Sequence, residues 1–68
     1  MERRLLTLAK DHRGCTLFDN GRPLASYPSL GPALELARLL AEASRLRDGP
    51  PVVVQLSRYG QPPRPLPI

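Results

Sequence analysis

Cysteine and histidine occur once each in this sequence, as Cys15 and His12. A lone cysteine cannot form an internal disulfide, so a reducing, cytoplasmic setting is the expectation that follows. The H-x-x-C spacing of "HRGC" is half a metal site at most, because no second histidine or cysteine exists to complete a ligand set. The pair reads instead as a turn histidine and a thiol packed as a small apolar group. Nothing in the sequence places a third group to orient His12 as a base for Cys15, so nucleophilic catalysis lacks its parts. Tryptophan is absent, and Phe18, Tyr27 and Tyr59 are the only aromatics, which leaves little on which bases of a single strand could stack. Glycines are scattered singly, so no phosphate loop or dinucleotide fingerprint occurs. No apolar run approaches membrane length, and the opening "MERRLLTLAK" breaks at Lys10, too early for a signal-peptide core. These absences lead to the expectation of a protein without catalytic, metal-binding or cofactor-binding residues.

Arginine and proline are plentiful. The net charge of +4 comes from 10 basic and 6 acidic side chains, a balance that invites a nucleic-acid reading. The charge is spread evenly, however, with no basic block or tail. Arg3, Arg4, Lys10, Arg13 and Arg22 are the residues that would carry such contacts around the first strand and the hairpin, with Arg58 as a further one.

Among 68 residues there is room for one domain with a thin core. Residues 3–10 have strand composition, and "DHRG" supplies turn chemistry. "CTLFD" runs into Asn20-Gly21, the dipeptide best suited to a two-residue type I′ hairpin. A plain hairpin register would pair Leu17 with Leu24 and Cys15 with Ser26, putting these on one face and Thr16, Phe18, Pro23 and Ala25 on the other. Pro28 ends the strand, and Ser29 is placed to cap a helix running from Leu30 to Arg47. Leu30, Ala33, Leu34, Ala37, Leu40 and Ala41 recur at helical spacing and predict the face that meets the sheet. "DGPP" ends the helix, with Gly49 in the left-handed position.

Leu36, Leu39, Ala43 and Leu46 form a second apolar stripe, more than one sheet face requires. Together with Phe18 on the outer sheet face, Leu36, Leu39 and Leu46 are the candidate partner interface. "PVVVQLS" predicts a strand interior to the sheet, parallel to the first and beside it through a right-handed crossover. The fold expected is therefore α+β, a four-stranded mixed sheet of β-β-β-α-β type and order 3-2-1-4, with one helix packed on one face. Residues 1–59 form the domain, and 60–68 are expected to be a flexible proline-rich tail.

The hairpin "CTLFDNGRPLASY", the Ser29 cap, "ALELARLLA" with Ala33, Ala37 and Ala41 spaced by four, "VVVQL" and Tyr59-Gly60 together resemble a short bacterial domain-of-unknown-function family. Its members run strand, hairpin, capped helix and strand over about the span of residues 3–61. The resemblance implies the ββ(β)αβ architecture and no activity. The function expected is a small non-catalytic interaction module of bacterial or phage type, a homodimer or the partner of another protein, with no membrane contact. A nucleic-acid-binding domain is the alternative.

Overall fold

A computed structural model describes residues 3–67. The chain runs β1 (Arg4–Asp11), β2 (Gly14–Asp19), β3 (Arg22–Tyr27), α1 (Leu30–Leu46), β4 (Val52–Arg58) and β5 (Arg64–Leu66). The sheet is mixed and five-stranded, in the order β3-β2-β1-β4-β5. β1 is antiparallel to β2 and parallel to β4, with Leu6 beside Val54 and Leu8 beside Leu56. The expected order of the first four strands and the single helix are present. The fifth strand corrects the expectation of four.

That fifth strand comes from the proline-rich segment expected to lie outside the sheet. The turn from Arg58 to Gln61 has Gly60 at φ +77°, and the Gln61 amide donates to the Arg58 carbonyl at 2.9 Å, the form of a type II turn. Proline then recurs at every second position, as Pro63, Pro65 and Pro67. Backbone groups of alternate residues in a strand point to opposite edges. Arg64 and Leu66 lie opposite Leu56 and Val54 and offer their amides to β4, while the prolines' missing donors fall on the free edge.

The hairpin turn is as its dipeptide requires, with Asn20 at φ +51° and Gly21 at φ +87°. Asn20 also stitches the hairpin to β1: its Oδ1 accepts from the Leu5 amide at 2.8 Å, and its own amide donates to the Leu5 carbonyl at 2.7 Å. Further along, the register departs from the plain hairpin. Phe18 pairs with Pro23 but Leu17 pairs with Ala25, so Leu24 is the extra residue of a bulge. Leu24 is 48% exposed rather than packed opposite Leu17, and Tyr27, not Ser26, joins Cys15 beside the core.

At the other turn of the meander, Asp11 Oδ1 accepts from the amides of Arg13 at 2.8 Å and Gly14 at 3.1 Å. The Arg13 amide above all, helped by the Gly14 amide and the nearby charges of His12 and Arg13, holds the Asp11 carboxyl below its ordinary value. A lowered folded-state pKa means that this turn's contribution is present above the unfolded value and is lost as pH falls through the folded one.

Leu6, Leu8, Cys15, Leu17, Ala33, Ala37 and Val54 form the core, none more than 2% exposed. Ala33 and Ala37 have no bulk to hold the helix away, and Leu30, Leu34 and Leu40 close over the leucines of the sheet. Two details of the helix ends differ from expectation. Ser29 stands at the N-cap in extended conformation, but its hydroxyl makes no capping bond. At the C-terminus Asp48, not Gly49, takes the left-handed conformation, at φ +52°. The Asp48 amide donates to the Arg45 carbonyl at 3.2 Å and the Gly49 amide to Ser44 at 2.8 Å, the paired bonds of a Schellman motif. Gly49 is there for space: a Cβ would stand 2.7 Å from Ser44 Oγ. Ser44, only 4% exposed, donates that hydroxyl to the Pro50 carbonyl at 2.9 Å.

Candidate interaction surface

Strand alternation puts Leu5, Thr7 and Ala9 of β1 on the side away from the helix. Their register partners Thr16 and Phe18 on β2, and Val53, Gln55 and Ser57 on β4, lie there too. Among the described residues no element covers this face. It carries no charged side chain across its middle, and four of its polar side chains pair with one another: Gln55 Nε2 donates to Thr7 Oγ1 at 3.1 Å, and Thr16 Oγ1 shares a hydrogen with Ser26 Oγ at 3.0 Å. Phe18 is half-buried by its neighbours, and Val53 is 37% exposed. Parallel strand pairs are ordinarily covered on both faces, yet the central β1–β4 pair here is covered on one.

Both edges of the sheet discourage growth by strand addition. β5 shows its free side as alternate prolines, and β3 carries Pro23 and the Leu24 bulge. A partner of this sheet therefore meets a face more readily than an edge.

The helix stripe divides. Leu36 packs against the core, while Leu39 and Leu46 are 58% and 76% exposed. They lie two turns apart on the side of the helix away from the sheet, so the exposed part of the stripe amounts to two leucines.

The cations expected to contact nucleic acid do not share one surface. Arg3, Arg4 and Arg22 sit at the end of the sheet where β1 begins, and Lys10 and Arg13 at the end where β1 finishes. Arg4 is committed to Asp19 through two bonds, Nε to Oδ1 at 3.1 Å and Nη2 to Oδ2 at 3.0 Å, and the Lys10 ammonium donates to the Asp11 carbonyl. Arg3, Arg13 and Arg22 are exposed.

His12 lies in an exposed turn and Cys15 in the core, so the structure separates the H-x-x-C pair. Burial first, and the Asp11 charge second, push the Cys15 thiol above its ordinary value against the pull of Lys10. Native protein treated with iodoacetamide is expected to be alkylated at Cys15 only as fast as the fold opens, because the thiolate is the nucleophile and needs access. Modification at the rate of unfolded protein would show the thiol to be available. Among the described residues no group of three or more histidine, cysteine or carboxylate side chains comes together, and no helix is long and apolar enough to cross a membrane. A broad hollow of about 710 Å³ beside the end of α1 is lined in part by Glu42 and Arg45, which pair with each other at 2.8 Å.

No known protein family, curated protein or solved structure matches the chain.

Proposed function

We propose that the protein is a small non-catalytic interaction module that self-associates by covering the bare face of its sheet. The observation that carries this reading is the uncharged outer face around Leu5, Phe18 and Val53, on which Thr7, Gln55, Thr16 and Ser26 pair with one another. A second copy of that face would bury it with no charge to desolvate. The free thiol at Cys15 suits a reducing compartment.

Area favours the sheet face over the helix stripe. At ~4.8 Å between strands and ~3.3 Å per residue, a five-stranded face about six residues long covers roughly 500 Å². Two such faces approach the ~1,000 Å² that marks the low end of specific interfaces. Leu39 and Leu46 alone offer far less. The association expected is thus weak and concentration-dependent.

Sedimentation equilibrium over a range of concentrations tests it. The wild type is expected to rise above its 7.5 kDa monomer mass as concentration increases. Val53→Glu should remain monomeric with its fold intact, and Leu39→Glu should behave as wild type. The reverse result would move the interface to the helix stripe. A wild type that stays monomeric throughout would end the self-association reading.

A further inference from the structure

A different surface, on the helix side of the sheet, carries cations that form no ion pair among the described residues. Register places Lys10 directly beside Arg58, and Leu56, two residues before Arg58, opposite Arg64. Lys10, Arg58 and Arg64 point to the same side of three adjacent strands, at the end where β1 and β4 finish. α1 packs on β1 to β4 but does not reach β5, so the ground over β5 and the adjoining edge of β4 is open. A cleft of about 270 Å³ lies there, with Leu56 and Leu66 as its floor and Arg58, Gln61 and Arg64 around it. At ~30 Å³ per water molecule this is room for a small molecule, not for a folded domain.

Like charges on neighbouring strands repel and cost stability. Among the described residues, only Arg4 and Arg45 form ion pairs with a carboxylate, and neither lines this cleft. Asp11, the one acidic residue at this end of β1, has an Oδ1 already accepting from the Arg13 and Gly14 amides. The backbone beneath the two arginines is stiff. The Gly60 turn, the bond from the Gln61 amide to the Arg58 carbonyl, and Pro62, Pro63 and Pro65 fix the path between them. Two planar guanidinium forks held beside a lysine and a side-chain amide suit an oxyanion of more than one charge. The leucine floor suits carbon next to that group.

We propose that the β4–β5 cleft, with Arg58, Gln61 and Arg64 around it and Lys10 alongside, binds the phosphate group of a small organic phosphate. The guanidinium forks take the phosphate oxygens, Gln61 donates its side-chain amide, and Leu56 and Leu66 meet the carrier.

The test is an amide-resolved NMR titration of the full chain with phenyl phosphate, with inorganic phosphate and benzoate as comparison arms. Saturable shifts at Leu56, Arg58, Gln61, Arg64 and Leu66 are expected, strongest for phenyl phosphate, weaker for inorganic phosphate and weakest for benzoate. Arg58→Gln and Arg64→Gln are each expected to weaken phenyl phosphate about tenfold, the scale of one charge-assisted hydrogen bond. Both side chains are exposed, so the fold should survive, and unchanged amide dispersion verifies that. Arg22→Gln, at the other end of the sheet, should leave binding as it was. Shifts that do not saturate, that spread equally over Arg3, Arg22 and Arg38, or that survive both substitutions would overturn the proposal. So would a short single-stranded oligonucleotide that binds these residues while phenyl phosphate does not, since that outcome assigns the cleft to a polymer backbone. Binding here is independent of whether the outer face self-associates, and a Val53→Glu monomer serves equally well for the titration.

Discussion

Gly14→Ala is expected to leave the protein unfolded under conditions where the wild type is native. Gly14 is buried at φ +150°, and a Cβ built there would stand 2.2 Å from the Tyr27 carbonyl oxygen and 3.2 Å from Pro28 Cα. Both obstacles are backbone, so no side chain can swing aside. Relief would require β2 and the end of β3 to part, and that end of β3 leads directly into the helix. Destabilisation of about 4 kcal/mol or more belongs to substitutions of this kind. At ~0.05–0.15 kcal/mol per residue, a 68-residue domain has about 3–10 kcal/mol in total. Urea denaturation followed by circular dichroism measures the loss. Gly21→Ala is the control, because Gly21 also has positive φ, at +87°, but nothing lies within 4 Å of its would-be Cβ. It should cost about 1 kcal/mol through conformation alone. Equal costs at the two positions would show that backbone strain, and not the collision with Tyr27, is what matters at Gly14.

The second large effect is at Leu8. Its side chain is fully buried on the central strand, with Leu17 in register on one side and Leu56 on the other. Leu8→Ala removes transferred apolar surface and leaves a cavity that two flanking strands and the helix cannot easily close, a change that costs roughly 2–5 kcal/mol. Leu24→Ala, at a residue 48% exposed in the bulge of β3, should change stability by less than about 0.5 kcal/mol. The midpoints of urea unfolding decide it. A large loss at Leu24 would mean that the hairpin keeps a plain register in solution and packs Leu24 inward.

That contrast marks where sequence reasoning succeeded and where it stopped. Asn20-Gly21 forms its turn because two adjacent positive-φ positions are a local demand, visible in two letters. The strand order follows from an equally visible pattern, a valine run after a helix of crossover length. The bulge is different. Leu24 and Ala25 are both acceptable in either register, and the choice is settled by which residues meet the helix, a tertiary matter. Ser44 is illegible in the sequence for a similar reason. Its place on the buried side of α1 follows from the spacing Ala33, Ala37, Ala41, yet serine reads as surface until its hydroxyl is seen bonded to Pro50. Prolines suggested a tail at the C-terminus because they are usually counted and not phased; their period of two is what admits β5. Of the candidate surfaces, Phe18 could be assigned to the outer face by alternation alone. The cleft around Arg58 and Arg64 could not, since it depends on a strand pairing that proline content hid.

The parallel pairing of β1 with β4 also governs how the chain must fold. The bond from Gln55 to Thr7 joins residues 48 apart in sequence, and the core leucines Leu6 and Leu8 lie between strands drawn from the two ends of the domain. β1, β2 and β3 are joined by short turns and can meet early, but their sheet acquires its central neighbour only after the helix has been traversed. Closing a loop of that length carries an entropic cost before any contact compensates it, so this closure, more than hairpin formation, is expected to set the folding rate. Neither the meander nor the helix-strand half holds a core alone. Leu6, Leu8, Cys15 and Leu17 of the meander and Ala33, Ala37 and Val54 of the helix-strand half make one cluster, so a cut between Tyr27 and Leu30 separates the two halves of a single core.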